Sequence, residues 1–280
     1  MRIRDIADLF KLRQTLMAVL TGVVAYIKPL GFNIDLRALT LVSISLFATV
    51  AGATGFNMLF DMDIDSIMPR TRHRPLPSGR MTPRQALWIS AITVAAGLVL
   101  ASLINVWVLF FGVLGFLIFS FLYTKFMKRK TPWSVVICGT AGAMPVLGGW
   151  SAATGEPSLE AALLATLVVL WSYVHIWTAA TYFSEDYRLA GVPMLPVALG
   201  EKAGLVASLT ALALVVADLA LMWLRGVYST PSAAALAVLA TAIAAVLLKG
   251  LFKGEFKRSS YVAWKLATAF IAAAFVLLFI

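Results

Sequence analysis

Charge is scarce in this chain: Asp, Glu, Lys and Arg make up 13% of its 280 residues, about half the share in an ordinary soluble domain. With 61% of residues hydrophobic, that scarcity excludes a soluble globular domain and points to an integral membrane protein. Cysteine is scarcer still. Cys138 stands alone in an apolar run, which excludes a disulfide framework and a thiolate metal cluster. Strict alternation of apolar and polar residues is also missing, so a β-barrel is excluded. The N-terminus, MRIRDIADLFKLRQ, carries too much charge for a cleaved signal sequence. The first apolar segment is therefore expected to be retained. Acids number 13 against 23 Lys and Arg, a formal charge of +10. In a soluble chain that excess would suggest nucleic acid. Here the cytoplasmic loops of a membrane protein account for it, and no nucleic-acid partner is expected.

What is present is a series of apolar blocks. A run of about 20 residues crosses a hydrocarbon core of about 30 Å, and nine such runs are legible: 14–33, 38–60, 85–104, 106–124, 133–153, 159–183, 203–224, 232–249 and 260–280. Only Asn105 separates the third from the fourth. With nine spans the basic residues gather on one side. They are Arg2, Arg4, Lys11 and Arg13; Arg70, Arg72, Arg74, Arg80 and Arg84; Lys125, Lys128, Arg129 and Lys130; Arg188 and Lys202; and Lys249, Lys253, Lys257 and Arg258. The other side keeps Lys28, Arg37 and Arg225. This asymmetry predicts a cytoplasmic N-terminus and an external C-terminus. The expectation is one transmembrane domain over 1–280, with two long cytoplasmic segments at 57–84 and 182–202. In the fifth span Gly139, Gly142, Gly148 and Gly149 allow close packing or substrate approach.

The few acids are not scattered. Asn57, Asp61 and Asp65 recur every four residues, which puts them on one helical face with a drift of about 40° per step. Three oxygen-bearing side chains suit a hard divalent cation such as Mg²⁺, and acids at a helix C-terminus oppose the macrodipole, so stability alone does not explain them. Asp63 points away from that face. Arg70 and Arg74 follow within nine residues and suit phosphate oxygens. Lys125 and Lys128 are further cations for a diphosphate, although a positive-inside bias would place them there anyway. A second acidic group, Glu185 and Asp186, lies at the same membrane surface and suits a second metal. Adjacent residues cannot both face one ion from a helix, and Asp186 is the preferred ligand. Tyr123 and Tyr182 sit at span ends, where they line a cavity or anchor the interface. His175, inside the sixth span, is either a packed core histidine or an axial ligand for a metal-porphyrin substrate. Asp218 and Lys265 are intramembrane charges that pair if they are close.

These residues resemble the UbiA-type superfamily of intramembrane prenyltransferases, and within it the protohaem IX farnesyltransferase branch. The asparagine-led acidic motif is Asn57, Asp61 and Asp65. Met68, Arg70, Thr71, Arg74 and Pro75 match the pattern that follows it in that branch, as do Tyr123-Thr124, Lys128-Arg129, Thr131-Pro132, Gly142-Ala143, Pro145, Gly148-Gly149-Trp150, His175, Trp177, Asp186-Tyr187 and Ala190 to Pro196. Two departures stand out: Glu185-Asp186 replaces a pair of aspartates four residues apart, and Ser134 replaces a frequent asparagine. The resemblance implies an all-α bundle around a central cavity open to the bilayer. It implies Mg²⁺ bridging farnesyl diphosphate to Asn57, Asp61, Asp65 and Asp186, with Glu185 nearby and Arg70, Arg74, Lys125 and Lys128 neutralising the leaving group. The acceptor it implies is haem b, which His175, Tyr123 and Tyr182 would help to seat, with haem A synthase or haem-copper oxidase assembly downstream. The implied location is the cell membrane, with the active site at the cytoplasmic face. Rival expectations are prenyl transfer to a quinone precursor or glyceryl phosphate lipid, and an ion-coupled transporter that uses the acids as a cation site.

Overall fold

The computed structural model describes residues 2–31 and 33–280. Every extended element among them is helical: α1 (Ile3–Leu9), α2 (Leu12–Leu30), α3 (Leu36–Phe60), α4 (Met62–Ile67), α5 (Pro83–Ile104), α6 (Val106–Phe116, continuing as a π-helix over Leu117–Met127), α7 (Ser134–Thr154), α8 (Leu159–Tyr182), α9 (Ser184–Leu189), α10 (Leu195–Ala198), α11 (Glu201–Leu224), α12 (Thr230–Lys253) and α13 (Phe256–Val276). Eight of the described helices are long and apolar enough to cross a membrane, and α1 with α2, bent by 57°, makes a ninth. Eight of the nine predicted spans therefore stand as single helices, and the first, predicted over 14–33, qualifies only when α2 is taken together with α1 across the bend. Asn105 does divide the third span from the fourth. It ends α5 and starts α6, its side chain accepting a hydrogen bond from the Val108 N–H, as an N-cap residue should.

The long helices form a ring. α2 packs on α3 and α7, α7 on α6 and α8, α8 on α11 and α13, and α5 covers the outside of α3. The glycines of α7 make two of these contacts possible. A Cβ on Gly149 would lie 1.9 Å from the Gly22 carbonyl oxygen, and one on Gly139 would lie 2.5 Å from the Ser172 hydroxyl. Gly142 and Gly148 are less crowded, an added Cβ meeting nothing nearer than 3.9 Å, and they line a partly open, mainly apolar cavity of about 260 Å³ inside the ring.

The two long loops fold over one end of the bundle. Ile64 and Met68 of the first share a buried core with Val192, Met194 and Leu195 of the second. Leu76 and Met81 are held against Leu9 and Met58. The turn before α10 needs Gly191, whose φ of +65° is left-handed and costs little without a Cβ. Asp218 and Lys265 do not pair: Asp218 has a buried carboxylate oxygen without a partner, while the Lys265 amine lies over the Trp264 ring. They sit on different helices, α11 and α13, and α11 has little contact with α13 beside its contact with α8.

Candidate diphosphate and metal site

The acidic face survives the end of its helix. Backbone bonds run from Asp61 N–H to the Asn57 carbonyl (3.0 Å) and from Asp65 N–H to the Asp61 carbonyl (2.8 Å). Rotation therefore continues through the break between α3 and α4, and all three side chains stay buried, at 3%, 2% and 3% exposure. Each meets a cation or a donor. Asn57 Nδ2 donates to Thr124 Oγ1 at 2.8 Å and to Asp61 Oδ2 at 3.2 Å. Lys128 Nζ lies 2.6 Å from Asp61 Oδ2, and Arg74 lies 2.6 Å from Asp65 Oδ2. Burial lowers the Lys128 pKa, but the charge and hydrogen bond of Asp61, together with Tyr187 and Asp65, outweigh it and hold the amine above the ordinary lysine value. Thr71 completes the cradle by donating to the Asp65 backbone carbonyl at 3.0 Å. The Arg-Thr-x-x-Arg-Pro run thus clamps Asp65 from two points.

Lys128 and Lys125 do not act together. Lys125 is exposed, with its amine 5.5 Å from the Phe60 ring centroid and 5.8 Å from that of Phe126. The cause is the widened helix. Lys128 N–H bonds five residues back, to the Tyr123 carbonyl at 2.8 Å, and Thr124 Oγ1 to the Phe119 carbonyl at 2.7 Å. π-turns recur at functional sites, and this one directs Thr124 and Lys128 to the acids and Lys125 away from them. Tyr123 is buried, stacked on Phe119 at 6.0 Å.

Lys11 was legible in the sequence only as one more positive charge. The chain breaks between α1 and α2 at this residue, which has φ 45° and ψ 53°, the one left-handed non-glycine backbone among the described residues. Hydroxyls of Thr15 and Thr54 hold the break by donating to the Phe10 carbonyl at 2.6 and 2.9 Å. The Lys11 amine thereby reaches across to donate to Asn57 Oδ1. Nothing in its spacing signals this contact, since only the packing of α1 against α3 creates it.

The second loop contributes less directly. Arg70 sits 3.7 Å from Asp186, with its guanidinium 4.4 Å from the Phe183 ring centroid. Glu185 turns outward to an ion pair with Lys257, whose hydrogen bond holds the Glu185 carboxyl below the usual range. As expected, Glu185 and Asp186 diverge, and Glu185 is not at the acid face. Tyr182 packs on Phe183 and Tyr261. Asp63 faces out and binds Arg129 with both oxygens at 2.5 and 2.6 Å, which keeps its pKa below the ordinary aspartate value. Among the described residues no three Asp, Glu, His or Cys side chains converge on one point, because the acids are each turned to a cation or a donor. The donor set still fits a hard cation. Asp61 Oδ1 is a buried carboxylate oxygen without a hydrogen-bond partner, and a carboxylate oxygen left bare in the interior is costly unless a cation meets it.

The apolar cavity begins one helical turn from Asn57, at Ala53 and Thr54, and runs to Trp171 and His175. His175 Nε2 accepts from the Trp264 indole at 3.1 Å, and its ring lies 4.8 Å from that of Trp171.

The chain is similar in sequence and in fold to known proteins. A protoheme IX farnesyltransferase from Thermofilum pendens is 49% identical over 275 residues, covering 98% of this chain and 97% of that one. In fold, the chain resembles the structure of a digeranylgeranylglyceryl phosphate synthase with a TM-score of 0.81 at 23% identity, over 99% and 97% of the two chains. A UbiA homologue from Archaeoglobus fulgidus bound to GPP and Mg²⁺ superposes with a TM-score of 0.68 at 19% identity, over 99% and 100%. The sequence profile of the UbiA prenyltransferase family matches residues 15–273. A multi-pass helical chain that carries this profile over nearly its whole length, and half of whose residues coincide with a curated relative's, belongs to the UbiA prenyltransferase family.

Proposed function

We propose that this chain transfers a farnesyl group from farnesyl diphosphate to a vinyl group of haem b, giving haem O and diphosphate. The observation that carries the reading is the juxtaposition of a buried acid and cation cluster with an apolar cavity. Asp61 has one uncompensated oxygen, and an apolar channel starts a turn away. A transporter needs no such apolar cavity beside a cluster of acids and cations. The name of the Thermofilum pendens relative supplies the acceptor and the chain length, and the GPP and Mg²⁺ of the Archaeoglobus fulgidus homologue supply the ligand class.

In this reading the diphosphate sits against Asn57, Asp61 and Asp65, with Asp186 across the cleft. These side chains would hold Mg²⁺, which would supply positive charge against the leaving diphosphate. Arg70, Arg74 and Lys128 donate to phosphate oxygens, and Lys11 adds a further ammonium from the broken first span. Cations fixed in a water-poor site act most strongly where negative charge develops, here on the oxygen of the breaking C–O bond. The farnesyl chain lies along the apolar cavity, where Phe111, Phe116 and Phe119 keep water from the allylic carbon. That carbon bonds to the terminal vinyl carbon of haem, and water adds at the carbon next to the ring to give the hydroxyl, releasing a proton. Lys125 and Glu185 have no direct part. The whole chain works as one catalytic unit in the cell membrane, with the diphosphate at the cytoplasmic face, and its product feeds haem A synthase or haem-copper oxidase assembly.

The test is to incubate purified protein with haem b, farnesyl diphosphate and Mg²⁺ and to measure the haem O mass and released diphosphate. Absence of haem O, with a prenylated quinone precursor or glyceryl phosphate lipid formed in parallel assays, overturns the acceptor. Ion flux without diphosphate release overturns the enzyme.

A further inference from the structure

The seam between α8 and α13 carries groups that diphosphate chemistry does not use. Lys265 lies nine residues inside α13, about 13 Å along the axis from Phe256 at 1.5 Å per residue. Its side chain is exposed. No carboxylate among the described residues is within ion-pairing distance of it. A bare ammonium at this depth is disfavoured and marks a functional site by default.

A snorkelling lysine would stretch its amine toward the headgroups. This one rests on the ring at its own depth, 4.5 Å from the Trp264 centroid, and is farther, at 5.5 Å, from Tyr261 one turn nearer the helix start. The Trp264 indole is bonded to His175, and His175 lines the central cavity. Tyr182 and Phe183 extend the wall, 4.9 Å from Tyr261 and 5.8 Å from Trp264. One edge of the seam is therefore cationic, its floor is aromatic, and its far side meets the cavity at His175.

We propose that this seam seats the acceptor, and that Lys265 pairs with a carboxylate on the acceptor's rim and so selects for it. The proposal rests on haem b as acceptor. Haem b is a flat apolar macrocycle with two propionate carboxylates at one edge and its vinyl groups elsewhere on the rim. A propionate on Lys265 lays the ring along the aromatic wall and turns a different edge toward His175 and the cavity. Axial ligation by His175 Nε2 requires the Trp264 bond to open, so the histidine does not hold the iron while that bond stands.

The experiment compares wild type, Lys265→Met and Lys265→Arg in lipid vesicles, with haem b and haem b dimethyl ester as acceptors. Wild type should favour the free acid by about 10- to 100-fold in KM, the size of a lost charged hydrogen bond. Lys265→Met should lose that preference, Lys265→Arg should keep part of it, and the KM for farnesyl diphosphate, whose diphosphate binds elsewhere, should not change. An absorbance titration of each haem form, without farnesyl diphosphate, should give the same ordering of Kd. Equal binding of acid and ester by wild type, or an unchanged KM in Lys265→Met, overturns the assignment. If the methionine variant does not fold, the acid and ester comparison on wild type still decides. If neither haem form is prenylated, the transfer reading fails, and the titration alone judges Lys265.

Discussion

Replacing Asp61 by Asn keeps the shape of the side chain and removes its charge. Asp61 Oδ2 is 2.6 Å from the Lys128 amine, and both groups are buried. The variant leaves an ammonium in the interior without its counter-ion. Breaking a buried pair from one side costs about 3–5 kcal/mol, whereas replacing both partners by neutral groups is often neutral or better. Asp61→Asn should therefore lower the unfolding free energy by about that amount, and Asp61→Asn with Lys128→Met should recover most of it. Turnover should not recover. Loss of one fixed group that stabilises developing charge costs about 10²–10³ in rate, and the double variant lacks two. Denaturant unfolding of the solubilised protein gives the stability, and diphosphate release gives the rate. The reasoning is refuted if the double variant is as unstable as the single one, or if Asp61→Asn turns over within tenfold of wild type.

Gly149→Ala should clash with the Gly22 backbone and lower the thermal midpoint sharply, since overpacking costs about 1–3 kcal/mol or more. Gly142→Ala meets only Val168, at 3.9 Å, and should leave stability unchanged, with any effect confined to substrate KM. Lys128→Met should impair diphosphate release far more than Lys125→Met, and equal effects in a rate assay would contradict the reorienting π-turn. The Asp63 carboxyl has a lowered pKa because Arg129 donates to it. Its stabilisation is thus complete above the unfolded aspartate value, near 3.8, and is lost as pH falls through the lower folded value. Asp63→Asn should remove that part of the acid unfolding limb and leave the curve at neutral pH nearly parallel to wild type.

Much of the site was legible because it rests on local periodicity. Asn57, Asp61 and Asp65 share a face whether or not the helix ends at Phe60, since the four-residue bonds run on through Asp61. The divergence of Glu185 and Asp186 followed from adjacency alone. Three features were not legible. The pairing of Lys11 with Asn57 depends on a left-handed break that brings the first helix across the third. The separation of Lys125 from Lys128 depends on a change in helical pitch that a 3.6-residue reading does not anticipate. The clamp on Asp65 depends on a turn that carries Thr71 and Arg74 back onto the helix they follow.

By itself the sequence determined the apolar spans and the acid face, because hydropathy and helical period act over a few neighbouring residues. Tertiary packing alone decided which cation meets which acid, which glycines serve contact rather than cavity, and that Lys265 faces aromatic rings rather than Asp218. Those outcomes depend on distances between segments tens to hundreds of residues apart, and only the closed ring of helices sets them.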